Sequence, residues 1–233
     1  MNREDLINQF REFDIPFDDR KVDLLFSYMN YTLETNEKFN LTAITNRDEF
    51  VEKMILDSSL VLNDNDLQNK TVIDIGTGAG YPGMVLKILQ PNARFTLLDS
   101  TKKKVDFIKE FALANNLQID PVVDRAESYS RKHVEQYDIA MARAVAHLSI
   151  LMEIIAPLLK VNGYFIALKG LNYEEEINES ANAFKKLGLT IADIQEFELP
   201  ECHEKRALIR IKKIKPTNKK YPRDYSEIKK QPL

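Results

Sequence analysis

The segment from Thr71 to Gly83 reads TVIDIGTGAGYPG, a short apolar run with an acid at Asp74 and glycines at positions 76, 78, 80 and 83. Without Cβ atoms, Gly76, Gly78 and Gly80 let the chain turn sharply and let a ligand come up against the main chain. The spacing departs from the dinucleotide fingerprint G-x-G-x-x-G, because the third glycine arrives one residue early, and no G-K-[ST] ending is present to grip phosphates. What stands instead is Asp74-x-Gly76-x-Gly78-x-Gly80, followed by Asp99 at the end of the next apolar run, FTLLDS. A carboxylate at such a strand end can accept both hydroxyls of a ribose. A loop with no lysine and an acid leading into it suits a nucleoside that carries a cationic centre and no phosphates. S-adenosyl-L-methionine meets that description. A plainer alternative is a tight strand-to-helix turn, with Asp99 capping the helix that begins at TKKK.

These residues need elements to hold them. From Lys70 onward short apolar runs alternate with helical ones, and the strand candidates are TVIDI, RFTLLD, IDPVVD, YDIAMA, GYFIALK, LTIADIQEF and RALIRIK. Helices are predicted at PGMVLKILQ, KKVDFIKEFALANN, ESYSRKHVEQ, LSILMEIIAPLLK and EEEINESANAFKKLG. Pro82 suits the first turn of the first of these, where a missing N–H costs nothing. Apolar residues on both sides of the central strands predict a doubly wound, mostly parallel seven-stranded α/β sheet buried on two faces. The short ELPECHE link makes the last two strands an antiparallel hairpin. Ligands collect at the carboxyl ends of such strands, where the strand order reverses.

Residues 1–65 read as a helical extension, with Leu25, Met29 and Leu33, and further on Val51, Met54 and Ile55, at helical spacing. Between them NEKFNLTAITN reads as a loop. The methyl-donor-binding domain is expected over residues 66–214, and a basic tail over 215–233. From Lys205 to Leu233 eleven Lys or Arg face two acids, whereas from Leu171 to Glu204 nine acids face Lys185 and Lys186. The basic tail suits either a polyanionic partner or a solvated face. Pro216, Pro222 and Pro232 break it up, so it is expected to stay mobile until it meets RNA phosphates, with packing as a strap around the sheet as the alternative. Cys202 is the only cysteine, which excludes an internal disulfide and suits a reducing compartment. The N-terminus lacks the apolar core of a signal peptide, and no apolar run is long enough for a bilayer. A cytoplasmic monomer with no membrane and no metal is therefore expected; His133, His147 and His203 lack partners at metal-ligand spacing.

The chain resembles the RsmG (GidB) family of bacterial 16S rRNA methyltransferases. The resemblance rests on FNLTAI (39–44), ILDS (55–58), DIGTGAGYPG (74–83), LLDS (97–100), DRAE (124–127), ARAVA (142–146), ALKG (167–170) and KKYPR (219–223), in this order and almost end to end. One departure is Met54, where the family often has His. The resemblance implies a Rossmann-like methyltransferase that transfers a methyl group from S-adenosyl-L-methionine to N7 of one guanine in 16S rRNA. Carried over residue by residue, it places cofactor contacts at Gly76, Tyr81, Ala126, Glu127 and Arg143. Gly78, Gly80 and Asp99 join them from the loop argument.

Guanine N7 presents an unprotonated lone pair and needs no general base. No nucleophile or acid–base pair is expected, and Arg143 and Lys169 are the candidates for positioning. Lys169 ends the fifth strand, where it either holds a phosphate or guanine O6 or is a solvated strand terminus. Arg125, Lys169, Arg206, Lys219, Lys220 and Arg223 are candidates for RNA contact, with Arg206 alternatively paired to Glu204. 16S rRNA or the small ribosomal subunit is the expected partner. Two other functions stay open: a methyltransferase of this fold acting on protein or a small molecule, and a non-catalytic ribosome-associated RNA-binding protein.

Overall fold

Helix initiation in the N-terminal segment follows from side-chain caps. In the computed structural model, which describes all 233 residues, α1 (Arg3–Glu12) starts at Asn2, whose side chain accepts from the Glu4 and Asp5 N–H groups while Asp5 returns a bond to the Asn2 N–H. Helix α2 (Asp19–Asn36) is capped by Asp18 and buries Val22, Leu25, Tyr28, Met29 and Thr32. Leu33 is only half-buried, so the inward stripe of α2 carries two hydroxyls, a feature of the site below. After the loop, α3 (Arg47–Phe50) runs into a π-helical turn (Val51–Leu56), then α4 (Asp57–Ser59) and a 3₁₀ turn (Leu60–Leu62).

Seven strands follow: β1 (Thr71–Ile75), β2 (Arg94–Asp99), β3 (Ile119–Val123), β4 (Tyr137–Arg143), β5 (Leu159–Lys169), β6 (Leu189–Glu198) and β7 (Lys205–Lys213). They form one sheet in the order β3-β2-β1-β4-β5-β7-β6. The first five are parallel, and β7 runs antiparallel to both β5 and β6. The expected α/β sheet and its closing hairpin are thus present. The order reverses between β1 and β4, where neighbouring carboxyl ends leave a crevice. Helices α5 (Gly83–Leu89), α6 (Lys102–Ala114), α7 (Ala126–Lys132), α8 (Leu148–Ile155), α9 (Tyr173–Glu179) and α10 (Ala181–Leu187) connect the strands. The N-terminal helices, α5 and α6 share one buried cluster on one sheet face; α8, α10 and the C-terminal tail pack on the other.

Several boundaries differ from expectation, β5 starting at Leu159 and α7 ending at Lys132 among them, and three have a local account. Helix α8 stops at Ile155 instead of continuing to Lys160, because Pro157 has no N–H to donate and Leu159 already pairs with Tyr137. The long helix expected over 174–188 breaks at Ser180, whose hydroxyl bonds back to the Glu176 carbonyl. Pro82 sits at the cap position of α5 rather than inside its first turn.

The larger correction concerns the tail. Residues 215–233 do not hang free: Tyr221 and Leu233 are buried in the second cluster, Ile228 is fully buried, and residues Tyr225–Lys230 form helix α11. The tether is electrostatic. Glu153 of α8 has no exposed side-chain surface and accepts from Arg223 Nε at 2.8 Å, Nη2 at 2.6 Å and the backbone N–H at 2.9 Å. Proline breaks and a high charge count suggest a solvated segment only while the buried acid that answers the charge is invisible. Removing one partner of a buried ion pair leaves an uncompensated charge. Arg223→Leu is therefore expected to lower the unfolding free energy by about 3 to 5 kcal/mol, read from urea denaturation, with Arg223→Lys intermediate. A loss below about 1 kcal/mol would match an exposed pair and rule out the tether.

Candidate active site

The site begins with a carboxylate under a loop. Asp74, in β1, is buried, and its Oδ2 accepts from the Thr77 hydroxyl at 2.6 Å and the Gly83 N–H at 2.9 Å. It therefore pins both ends of the glycine loop, the turn out of β1 and the start of α5. Its Oδ1 has no partner. Burial lifts the Asp74 carboxyl from 3.8 to about 6, with the Thr77 and Gly83 bonds opposing the rise. Gly80 has φ +80°, and a Cβ there would collide with the Tyr28 hydroxyl of α2, which donates to the Ala79 carbonyl at 2.7 Å. At Gly78 the reverse holds: a Cβ would meet nothing nearer than the Gly76 carbonyl at 3.9 Å. The loop is packed underneath and open above.

Asp99, at the end of β2, accepts from the backbone on both of its sides. Its Oδ1 accepts from the Thr101 N–H at 2.8 Å, next to the start of α6, and its Oδ2 accepts from the Gly78 N–H at 3.0 Å. Each carboxylate oxygen keeps a further lone pair. Asp99 lines a cavity of 330 Å³ together with Gly76, Ala126, Glu127, Arg125 and Arg143. A second cavity of 960 Å³ lies on the other side of Gly76 and the 143–146 segment, whose residues line both. Gly76, Gly78, Tyr81 and Arg143 line the larger space, with Thr77 and Ala79 between them. Tyr81 faces it from a buried position, its hydroxyl 3.2 Å from Thr32 Oγ1 and its ring against Tyr28 and Phe50. Gly80 lines neither cavity; its part is structural.

The wall of the larger cavity comes from elements far apart in the chain. Arg143, ending β4, donates through Nη1 to the Lys53 carbonyl at 2.9 Å and to Asp57 Oδ2 at 3.2 Å, with Nη2 3.1 Å from Met54 Sδ. The π-helical turn makes this possible. The Asp57 N–H bonds back five residues, to Glu52, so it leaves the Lys53 carbonyl, its α-helical partner, for Arg143. π-Turns of this kind recur at functional sites. Asp57, 7% exposed, also faces Arg206 Nε at 3.5 Å, and Arg206 pairs with Glu204 at 2.6 Å. Lys53 is bound to Glu49 and Glu204. Lys169, ending β5, is no solvated terminus: it is 11% exposed and donates to Glu176 at 2.7 Å and to the Ala146 carbonyl at 2.9 Å. Lys53, Arg143, Lys169 and Arg206 thus face one space, each held by a carboxylate.

Other expected residues lie elsewhere. Arg125 is exposed at the start of α7 beside the smaller cavity. Lys219 and Lys220 are exposed and line neither cavity, and Arg223 is occupied by Glu153 rather than free for phosphates. His147 lines the larger cavity and pairs with Glu179, His203 pairs with Glu198, and His133 stacks on Tyr129. The pairing of Arg206 with Glu204 considered from the sequence is present, whereas sequence patterns missed Lys53, Asp57 and Glu176. Only Asp57 carried a signal, since it lies within ILDS.

The family model described as GidB, rRNA small subunit methyltransferase G, matches residues 21–209. Ribosomal RNA small subunit methyltransferase G of Clostridium botulinum is 41% identical over 95% of both chains, and that of Alkaliphilus metalliredigens is 43% identical over 96% of this chain and 95% of its own. A solved SAM dependent methyltransferase from Aquifex aeolicus shares the fold, with a TM-score of 0.53 at 14% identity over 77% of this chain and 97% of its own.

The pH response of the loop follows from Asp74. A raised carboxyl pKa means that between about pH 4 and 6 the folded chain holds a proton the unfolded chain has released, so stability falls as pH rises through that window and the cost is fully felt above it. Asp74→Asn keeps an acceptor for Thr77 and Gly83 without the charge. Its stability relative to the parent is expected to rise by about 2 kcal/mol between about pH 4 and pH 7.5. A difference that does not change with pH would remove Asp74 as the titrating group.

Proposed function

The chain belongs to the GidB family of small-subunit ribosomal RNA methyltransferases, and on that premise we propose that it methylates N7 of a guanine in 16S rRNA, taking the methyl group from S-adenosyl-L-methionine. The observation that carries the assignment of roles is the pair of cavities that meet at Gly76 and Arg143. The residues fit the cofactor. Asp99 offers free lone pairs for a ribose, the space above Gly78 lets a ligand approach the main chain, and the buried Asp74 carboxylate lies below with an unpartnered oxygen. The cofactor supplies an electrophilic methyl on a sulfonium.

What the protein must add is position. Guanine N7 is a lone pair at a base edge and loses no proton in the attack, which accords with a wall whose ionisable groups are already paired with one another. Holding N7 in line with the methyl group supplies the proximity effect. Arg143 and Arg206 present guanidinium groups whose direction is set by Asp57, and Lys169 presents an ammonium set by Glu176. A cation donating to guanine O6 or to a flanking phosphate fixes the base while leaving N7 open. Arg125, beside the smaller cavity, and the exposed Lys219 and Lys220 extend the positive surface available to the RNA backbone. A small-molecule substrate would have less use for four cations around one opening of this size.

The reading is tested by incubating the protein with labelled cofactor and naked 16S rRNA, an assembling subunit or the mature subunit, then digesting the product to nucleosides. Label in N7-methylguanosine is expected; label in protein, or in no RNA form, would overturn the assignment. Asp57→Asn keeps the side-chain shape but releases both guanidinium groups. Turnover is expected to fall by about 100-fold, the scale of a 1 Å misplacement, with cofactor affinity nearly unchanged in calorimetry. Unaltered turnover would show that Arg143 and Arg206 do not depend on Asp57.

A further inference from the structure

The smaller cavity has one wall that does not come from the methyltransferase sheet and its helices. Tyr225, the first residue of α11, lines it together with Asp99, Ala126 and Glu127. It lies outside residues 21–209, the span matched by the family model. We propose that Tyr225 is a cofactor-binding residue whose ring covers the adenine of the bound methyl donor, so that the C-terminal tail completes the cofactor site. The proposal rests on this cavity being the cofactor site.

Three observations support it. First, the tail is fastened on both sides of Tyr225. Arg223 is clamped by the buried Glu153, Asp224 accepts from Arg131 Nη2 at 2.6 Å, the Pro222 carbonyl accepts from Arg131 Nε at 3.2 Å, and Ile228 has no exposed surface. An aromatic side chain anchored in this way pays little ordering cost when it meets a ligand. Second, Arg131 belongs to α7, the helix that begins with Ala126 and Glu127. One short helix therefore offers the cavity its lining and ties the tail beside it. Third, Tyr225 keeps 39% of its surface exposed, and the lining it shares includes the aliphatic Leu98, Ile150 and Leu151. A flat heteroaromatic base suits a space bounded by aliphatic groups and one aromatic ring, and stacking on such a ring is tolerant of detail and energetically useful.

The chain contains no tryptophan, so Tyr225→Trp places a single fluorescent reporter at the cavity. Its emission is expected to change on saturation with S-adenosylhomocysteine or adenosine and not with methionine. Calorimetry with S-adenosylhomocysteine should show Tyr225→Ala binding about tenfold more weakly, with an unchanged Tm, and Tyr225→Phe binding within about twofold of the parent, since stacking needs the ring and not the hydroxyl. Parent-like affinity in Tyr225→Ala, or emission indifferent to the nucleoside, would overturn the proposal while leaving the cofactor site in place. Failure of the parent protein to bind S-adenosylhomocysteine would remove the site itself, and Tyr225 with it.

Discussion

A carboxylate sealed beneath the glycine loop is the constraint from which the rest of the site follows. Asp74 is held in a place that disfavours its charge, and it stays because its Oδ2 takes the Thr77 hydroxyl and the Gly83 N–H together. Those two bonds set the path of the loop. With the path set, the Gly78 N–H reaches Asp99, and the main chain above Gly78 is left bare for a ligand. A local stability cost is thus exchanged for a shaped surface, as happens at many functional sites.

The N-terminal helices are part of the same construction. Tyr28 fills the space that a side chain at position 80 would need, and its hydroxyl closes on the Ala79 carbonyl, so α2 supports the loop from below. Further along, the π-helical turn brings Lys53, Met54 and Asp57 to the rim of the larger cavity. Arg143 meets the Lys53 carbonyl, the Asp57 carboxylate and the Met54 sulfur there. Met54 thus contributes a soft contact to a guanidinium, where a histidine would bring a titratable ring. The segment is therefore more than an extension placed before a methyltransferase domain; it forms one wall of the site.

At the other end of the chain, charge that looks solvated turns out to be structural. Glu153 lies in α8 with no exposed surface, and Arg223 satisfies it through three donors. A buried acid with a bidentate partner is a specific address: it fixes which part of the tail docks and where. Lys219 and Lys220, a few residues earlier, stay exposed.

Much of the fold was legible in the residues alone. Alternating strand and helix patterns, the glycine spacing and the acid at Asp99 follow local rules of backbone freedom and side-chain period, so seven strands, their hairpin and the sharp glycine turn after β1 could be read without coordinates. Motif order along the whole chain carried the family. The roles of Asp57, Glu176 and Glu153 could not be read, because a carboxylate is defined by the cation it faces, and those cations lie 86, 7 and 70 residues away in the chain. Lys169 and Arg223 looked like surface charges for the same reason. Nor could the π-turn at Val51–Leu56 be foreseen from an apolar period that fits an α-helix equally well. Local conformation is written in neighbouring residues; burial and charge pairing depend on the packing of the entire chain, and only the tertiary structure decided them.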